Sequence, residues 1–228
     1  DIFQHKSGLK RWLLETALLW EERLSAKFAS AMITVNEPLA ADFKKRLGPR
    51  EFFLLHNAPD RKALTVERPA PKPGPADLVR VLHHGNILAR SGVDRVLPLL
   101  GDLNRSEERF RLEVHGRGDF YPKVEAHAKE LGVEQYCDFH GPFTHKSIVP
   151  YLERASCGVV LPHRNRLFDY ALPNKFLEYV ACRVPIIAQK LRTLEEYFPA
   201  DMVQYVETED DLIGALEELR ANPIAAQA

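Results

Sequence analysis

A lysine and a glutamate three residues apart are the side chains of this sequence best suited to chemistry. Lys175 falls in the first turn of a helix predicted over 173–182, where the helix dipole disfavours a cation. A cation makes sense there if an anion shares the site, because the first N–H groups of a helix are free to donate hydrogen bonds. Glu178 follows one turn later, and its carboxylate can accept two hydrogen bonds from a ribose diol. The spacing therefore suggests a phosphate near the helix start, with a carboxylate one turn deeper.

The alternative interpretation of the same residues is a surface ion pair. Lys175 and Glu178 at i, i+3 can attract each other in solvent and stabilise the helix by a few tenths of a kcal/mol. The residue pattern alone favours neither interpretation.

The segment 169–188, DYALPNKFLEYVACRVPIIA, supplies the elements that would position these two residues. Pro173 suits the first helical position, because the N–H that proline lacks is unused there. Apolar residues then recur at helical spacing, which predicts one buried helix face. Pro185 stops the helix, and 186–188 has the composition of a short buried strand.

Strands and helices alternate from Leu78 onward. Short apolar runs predict strands at 78–83, 110–115, 136–140, 157–161, 185–188 and 202–206. Amphipathic runs predict helices at 92–103, 121–131, 145–154, 173–182, 193–198 and 209–221. This alternation predicts an α/β fold with an open, doubly wound parallel sheet covered on both faces. Ligands bind such sheets at the carboxyl ends of the strands.

The residues that follow the predicted strands favour an anionic ligand. Glycines let a ligand approach the backbone closely, and arginines add positive potential at the same edge of the sheet. The residues at these strand ends include Gly85, Asn86, Arg90, Ser91, Gly116, Arg117, Gly118, His140, Gly141 and Arg164. We therefore expect the ligand to carry a diphosphate. The sequence lacks the Gly-x-Gly-x-x-Gly motif of dinucleotide folds and the Walker motif, so neither of those two kinds of nucleotide site is predicted.

In order and register these motifs resemble the donor-binding domain of retaining GT-B glycosyltransferases (glycosyl transferases group 1), which have two Rossmann-like domains. LPNKFLEYVACRVPIIA resembles the segment in which a Lys-x-x-Glu helix meets the diphosphate and ribose of a nucleotide sugar. HHGNILARSG resembles the loop that faces the donor phosphates, and YCDFHGPF resembles the turn whose backbone borders the base. LEVHGRGD and ERASCGVVLPH match two further family segments, and the resemblance covers nearly all of 78–190.

The resemblance implies a set of site residues. Lys175 and Arg90 are the implied catalytic residues, which would stabilise charge on the leaving diphosphate, and Glu178 is implied to hold the ribose. The implied nucleotide-sugar-binding residues are Gly85, Asn86, Ser91, Gly116, Arg117, Gly118, His140, Gly141, Asp169, Tyr170, Leu172, Pro173, Asn174, Lys175 and Glu178. The family is generally independent of metal, so neither a metal nor another cofactor is implied.

Two positions depart from the family pattern. Members usually carry Arg or Lys directly before the loop glycine, where this chain has Ser91, with Arg90 beside it. Many members also have a glutamate eight residues before Glu178, and that position is Tyr170, next to Asp169. These departures bear on the identity of the donor sugar and on activity.

The segments TVNEPLAADFKKRLG and LLHNAPD resemble the end of the family's N-terminal domain. We place a partial N-terminal Rossmann domain at 1–60, a proline-rich connection at 61–77, and the nucleotide-sugar-binding Rossmann-like domain at 78–228. A domain of that length leaves an unfinished sheet with exposed edges. Because the chain also begins at Asp1, we expect a missing N-terminal domain or a partner chain to complete it.

A long helix predicted over 7–29 has a broad apolar stripe that includes two tryptophans, with basic residues around it. Packing of this stripe on a core is the interpretation we favour. Contact with a membrane surface is the alternative. A strand at 31–35, a helix capped by Asn36 and a strand at 52–55 are predicted to follow.

Composition narrows the class of protein. The chain has 228 residues, a net charge of −1 and a pI near 6.8, which is less basic than a nucleic-acid binder usually is. Its three cysteines lack metal-ligand spacing, and we interpret them as buried reduced thiols of a cytoplasmic protein. The sequence has no apolar run of membrane-spanning length and no visible signal peptide. We therefore expect a cytoplasmic location, with contact at the inner face of a membrane as the alternative.

Five histidines fall at or just past predicted strand ends. They are His56, His84, His115, His140 and His163. None of them has the spacing to a second ligand that zinc requires, so we interpret them as polar lining and expect no metal.

The sequence thus predicts a glycosyltransferase, or the donor half of one, that moves a sugar with retention from a nucleotide-diphospho-sugar to a glycan, lipid or other acceptor. Uracil is the commoner base in the family, and guanine stays open. A non-catalytic nucleotide-sugar-binding or partner subunit is the first alternative. The second is a sugar-nucleotide epimerase or hydrolase on the same fold. Its acid–base pair would have to come from Asp169 and nearby histidines.

Overall fold

Two units make up this chain, Asp1–Asn57 and Ala58–Ala228, each held mainly by its own contacts. The computed structural model describes residues 8–60, 62–66 and 77–223. Most of the proline-rich connection predicted at 61–77 lies outside the described residues, so it stays a prediction.

In the first unit, the described residues form two helices and two short parallel strands. They are α1 (Gly8–Phe28), β1 (Ile33–Thr34), α2 (Glu37–Leu47) and β2 (Phe53–Leu54). Asn36 caps α2 as predicted, because its side-chain oxygen accepts a hydrogen bond of 2.8 Å from the N–H of Leu39. The elements have the predicted types and order, and both strands are shorter than predicted.

The apolar stripe of α1 is exposed to solvent. Trp12 and Trp20 are each 59% exposed, and Phe28 is 80% exposed. The predicted packing of this stripe on a core is therefore wrong among the described residues. The physical reason is that, besides α1, the described residues of the first unit offer one helix and two short strands to cover a long helix. No helix in the described ranges has the length and apolarity needed to cross a bilayer.

In the second unit, the part of the chain that the structure describes forms a sheet of six parallel strands. They are β3 (Val79–Asn86), β4 (Phe110–Arg117), β5 (Cys137–Gly141), β6 (Cys157–Val160), β7 (Ile186–Gln189) and β8 (Gln204–Val206). Their order across the sheet is β5-β4-β3-β6-β7-β8. The chain runs outward from β3 to β5, returns to β6 beside β3, and then runs outward the other way. This confirms the predicted doubly wound sheet and places its switch point between β3 and β6.

Helices cover both faces of this sheet. They are α3 (Leu97–Leu103), α4 (Tyr121–Glu130), α5 (His145–Arg154), α6 (Arg166–Asp169), α7 (Asn174–Ala181), α8 (Arg192–Tyr197) and α9 (Glu209–Ala221). One apolar cluster joins the sheet to α3, α4 and α9, and a second joins it to α5, α7 and α8. Successive residues of a strand point to opposite faces, so Val81 lies in the first cluster and Leu82 in the second.

Several boundaries differ from the predicted ones. β3 continues to Asn86 and β4 to Arg117, so residues predicted to follow these strands belong to them. The helix predicted at 92–103 begins only at Leu97, after two short 3-10 segments, Ala89–Ser91 and Val93–Val96. The helix α6 was not predicted, because four residues are too few to show a helical period. The three cysteines are free and buried, which confirms their interpretation as reduced thiols.

Candidate functional site

The carboxyl ends of β3 and β4 meet in register at the edge of the sheet where a ligand is expected. Gly85 lies beside Gly116, and Asn86 lies beside Arg117. The pairing continues beyond the strands, since the N–H of Ile87 donates to the carbonyl of Arg117 at 3.0 Å. Four of the predicted site residues are thus brought together by strand register alone.

Two of these positions require glycine. Gly116 has φ 151°, and a Cβ there would lie 1.9 Å from the carbonyl oxygen of Gly85. Gly85 has φ 108°, and a Cβ there would lie 3.7 Å from Cε of Lys175. A side chain at Gly116 would push β3 and β4 apart, whereas Gly85 leaves the backbone open beneath Lys175.

The helix α7 carries the lysine and the glutamate. Pro173 is its N-cap, with φ −65° and ψ 134°, so the helix begins one residue later than predicted, at Asn174. The hydroxyl of Tyr179 donates a hydrogen bond of 2.9 Å to the carbonyl of Leu82 and thereby ties α7 to β3. Phe176 and Tyr179 are fully buried. Because this buried face fixes the helix, Lys175 and Glu178 are held against the end of β3.

Lys175 contacts a histidine of β3. Its Nζ lies 2.9 Å from Nε2 of His83, whose side chain is fully buried. Burial lowers the pKa of Lys175 to about 7, against an ordinary value of 10.5, although Glu178 acts in the opposite direction. Burial, then Lys175 and His84, hold the pKa of His83 well below its ordinary value. The imidazole of His83 is therefore uncharged. The pKa of Lys175 lies close to neutral pH, so this amine changes its charge there.

Glu178 contacts the next histidine. Its Oε2 lies 3.4 Å from Nδ1 of His84, and the Glu178 side chain is 17% exposed. Lys175 and Glu178 thus meet two successive side chains of one strand. The alternative of a solvated surface pair is wrong, because both residues are partly buried against β3.

Arg90 and Ser91 lie in the 3-10 segment after β3. The Ser91 hydroxyl donates to the carbonyl of Leu88 at 2.6 Å and accepts from the N–H of the same residue at 3.3 Å. This side chain therefore closes a local turn. Arg90 is exposed, and its carbonyl accepts a hydrogen bond from the N–H of His163 at 3.3 Å.

Asp169 is the last residue of α6, and Tyr170 follows it in the segment that leads to α7. The Asp169 carboxylate lies 3.5 Å from Nε of Arg164, and the carbonyl of Asp169 accepts a hydrogen bond from the hydroxyl of Thr193 at 2.8 Å. The guanidinium of Arg192 lies 6.0 Å from the centre of the Tyr170 ring. Leu172 is buried and Asn174 is exposed. These contacts order the segment that leads into α7.

The end of β5 places His140 and Gly141 beside β4. Gly141 pairs with His115, and its N–H donates to the Tyr121 hydroxyl at 2.9 Å. His140 is exposed and stacks on His115, with ring centres 4.2 Å apart. The place of His140 and Gly118 in the site stays a prediction.

A cluster of Glu113, His115 and His140 has potential metal ligands within 4.8 Å of one another. Glu113 is already engaged, because Oε1 accepts hydrogen bonds from Arg80 at 2.9 Å and from Arg154 at 3.1 Å. The two imidazole planes are only 12° apart, so their in-plane lone pairs run nearly parallel and do not converge on one point. The geometry is that of an ion-paired, stacked cluster. Independence from metal stays a prediction.

Sequence reasoning missed the roles of three residues on β3 and α7. His83 was not among the predicted site residues, His84 was interpreted only as polar lining, and Tyr179 was not recognised as the anchor of α7. Two adjacent histidines ending an apolar strand, VRVLHHGN, were the available signal for the first two. Their partners depend on how α7 docks, which local periodicity does not specify.

Several solved structures have a similar fold. Sucrose-phosphate synthase from Thermosynechococcus elongatus is 18% identical, with a TM-score of 0.67, and the match covers 92% of this chain and 53% of that one. WaaG, a glycosyltransferase involved in lipopolysaccharide biosynthesis, is 19% identical with a TM-score of 0.70, covering 99% and 66%. HepE of Anabaena, solved in complex with UDP and glucose, is 15% identical with a TM-score of 0.66, covering 93% and 60%.

At these identities the likeness shows the fold alone, which is that of the GT-B glycosyltransferases, and the chain spans about half of the first of these structures. No curated protein matches the sequence. The family model for glycosyl transferases group 1 matches residues 79–222, which is more than half of the chain and includes β3, β4 and α7. The chain therefore belongs to the glycosyl transferases group 1 family.

Proposed function

We propose that this chain is the donor-binding part of a retaining glycosyltransferase that uses a nucleotide-diphospho-sugar, with UDP as the nucleotide. The observation that carries the proposal is the contact between α7 and β3. There Lys175 and Glu178 meet His83 and His84 at the switch point of the sheet.

The proposed roles follow from the chemistry of the side chains. Lys175, the exposed Arg90 and the free N–H groups at the start of α7 supply positive charge for the diphosphate as it leaves the sugar. Glu178 accepts hydrogen bonds from the ribose hydroxyls. Gly85 and Gly116 keep the backbone at this edge free of side chains that would exclude a ligand.

UDP is the first nucleotide to test for two reasons. Uracil is the commoner base in the family that the sequence resembles, and HepE, a structural neighbour, was solved with UDP and glucose. Retention rests on the family resemblance. Because the chain spans about half of the first neighbour's length, we assign the acceptor side of the reaction to a further domain or a partner chain.

Isothermal titration of the chain with UDP and GDP tests the proposal. We expect saturable binding of UDP, weakened about tenfold or more by Lys175→Ala and by Glu178→Ala, since each removes a charged contact to the ligand. Lys129→Ala and Glu130→Ala, at exposed positions of α4, are the matched controls and should bind as the unaltered chain does. Absence of binding by either nucleotide, or equal binding by all four variants, would overturn the proposal.

Nucleotide-sugar binding without transfer is a second candidate function. The observation that favours it is the Ser91 side chain, which is engaged with Leu88 at a position where the family usually has a cation. A transfer assay with UDP-sugars, in the presence of the domain or partner that supplies the acceptor side, separates the two candidates. Binding with no turnover of any donor would favour the second.

A further inference from the structure

Lys175 and His83 form an unusual pair of adjacent basic groups, of which the histidine is fully buried and the lysine partly buried. Their nitrogens are 2.9 Å apart, and His83 has no exposed surface. Two positive charges at that distance repel each other strongly in a medium of low polarity. The two groups therefore cannot both be protonated, and one of the nitrogens must act as a hydrogen-bond acceptor.

The surroundings favour a low total charge on this pair. Among the described residues, the titratable groups that act on Lys175 and His83 are His84 of β3 and Glu178 of α7. Glu178 attracts the lysine charge, but desolvation outweighs it, and the pKa of Lys175 is lowered to about 7. Without a ligand, a large part of the molecules at neutral pH therefore carries an uncharged amine.

We propose that an anionic diphosphate bound beside Lys175 makes this side chain take up a proton from solvent, and that His83 positions the resulting ammonium by accepting a hydrogen bond from it. The inference rests on the proposed function, because it takes the diphosphate of the donor as the anion. No bond other than the N–H bond of the ammonium forms in this step, and the proton comes from water or buffer.

The direction of the effect follows from linkage between protonation and binding. An anion favours the charged form of a neighbouring lysine, so binding restores the proton that burial had displaced. UDP binding should therefore weaken as pH rises above about 7. His83 acts through Lys175 and is a positioning residue.

Titration calorimetry in buffers of different ionisation enthalpy measures the protons taken up when UDP binds. Lys175→Arg is the matched control, because a guanidinium stays charged at any pH used and UDP itself contributes equally in both titrations. We expect the unaltered chain to take up about 0.9 more protons per UDP than Lys175→Arg at pH 8, and about 0.1 more at pH 6. If the unaltered chain and Lys175→Arg took up the same number of protons per UDP, at pH 8 as well as at pH 6, the inference would be overturned.

Carbon-13 NMR of lysine Cε provides a second measurement that does not depend on binding by the arginine variant. The Lys175 signal, identified by its absence in Lys175→Arg, should titrate near neutral pH in the free chain and stay in its charged form beyond pH 9 with UDP. A signal that titrates near 10 in the free chain would overturn the inference.

The role of His83 is tested by two substitutions. His83→Leu removes the acceptor and should weaken UDP binding about tenfold, whereas His83→Gln retains an acceptor and should recover most of the affinity. The proton uptake at pH 8 should be smaller in His83→Leu and should be restored in His83→Gln. A purely structural role of the imidazole would not require the proton uptake to follow the hydrogen-bond acceptor in this way. Equal behaviour of the two variants in both measurements would refute the positioning role.

Inorganic pyrophosphate separates failure of this inference from failure of the proposed function. If neither UDP nor GDP binds, the proposed function is overturned. Pyrophosphate that binds with the same proton uptake would then still support the lysine response to a diphosphate. If pyrophosphate does not bind either, or binds without uptake, the inference is overturned as well.

Discussion

Gly158 of β6 and Tyr179 of α7 fit together with no room for another atom. A Cβ on Gly158 would lie 2.4 Å from the Tyr179 ring, which is well inside van der Waals contact. The ring is fully buried, and its hydroxyl reaches the carbonyl of Leu82 on β3. The absence of a side chain at one strand position therefore sets how closely α7 approaches the sheet, and with it the height of Lys175 above β3.

Gly158→Ala should destabilise the second unit. The added methyl group forces the Tyr179 ring or the helix to move, and overpacking of this kind lowers the free energy of unfolding by about 1–3 kcal/mol. Urea denaturation followed by circular dichroism measures the change. The control is Gly214→Ala on α9, where a Cβ would meet no atom within 4 Å. Because alanine is the better helix former, that control should gain about 0.5–1 kcal/mol. A Gly158→Ala chain as stable as the Gly214→Ala chain would contradict the packing described.

Tyr179→Phe should remove one buried hydrogen bond and leave the ring in place. We expect the free energy of unfolding to fall by about 1–2 kcal/mol, because the Leu82 carbonyl loses a donor inside the core. The comparison is Tyr205→Phe, whose hydroxyl donates to the carbonyl of Phe198 at 2.8 Å in a half-buried place, where water can replace it. Chemical denaturation of both variants should rank Tyr179→Phe as the more damaging, and the reverse order would show that α7 is not anchored through this hydroxyl.

Asn104→Ala should loosen the start of β4. The Asn104 side chain accepts hydrogen bonds from the N–H groups of Arg109 and Phe110 at 2.7 and 2.8 Å, and it donates to the Phe110 carbonyl at 2.8 Å. Removing it leaves buried backbone groups without these partners, so we expect a loss of about 2–4 kcal/mol in unfolding free energy. Asn222→Ala, at an exposed asparagine, should change stability by less than about 0.5 kcal/mol. Similar losses in the two variants would argue against the bracing role of Asn104.

His115 should make the second unit less stable in mild acid. Burial, together with His140 and Arg154, lowers its pKa to about 4, while Asp138 acts weakly in the opposite direction. In the unfolded chain the His115 imidazole is therefore protonated below about pH 6.5, whereas in the folded chain it stays uncharged down to about pH 4. The contribution of His115 to the free energy of unfolding is therefore fully present above pH 6.5 and decreases as the pH falls toward 4. His115→Phe should remove about 1–2 kcal/mol of the fall in unfolding free energy over that range, since partial screening by solvent reduces the full linkage value.

The measurement for His115 is the unfolding free energy at pH 7 and at pH 4.5 in the same denaturant. His163→Phe is the matched control, because the His163 side chain is exposed. The control should retain the pH dependence of the unaltered chain. If His115→Phe also retained it, the neutral state of this buried imidazole would not be a source of acid sensitivity.

Local pattern was enough to predict the architecture. The strands from β3 to β8 show as short apolar runs, and the longer helices of the second unit show a helical hydrophobic period, so alternation of strand and helix was visible without any long-range information. Parallel order and coverage of both faces followed, because short strands joined by helices allow few other topologies. Boundaries were less accurate where backbone pairing extends a strand through glycines, as at Gly85 and Gly116.

The candidate site was predicted in part. Lys175 and Glu178 stood out because a cation in the first turn of a helix needs a reason, and both do lie at the end of β3. The prediction that the apolar stripe of α1 packs on a core was wrong. Periodicity shows that a helix face is apolar, but it does not show whether another element covers that face. The role of Ser91 was also outside the reach of the sequence. The family register gives the position of this residue, but not the turn that its hydroxyl closes with Leu88.

The sequence by itself thus determined the fold class, the succession of strands and helices along the chain, and the helix that carries a lysine and a glutamate, because these depend on local period and on short connections. Only the tertiary structure decided that Lys175 meets His83 and Glu178 meets His84, and that Lys175 is poised near neutrality. Those properties depend on the distance at which α7 docks on β3. That distance is set by the contact of Tyr179 with Gly158, residues far apart in the chain whose fit no local pattern encodes.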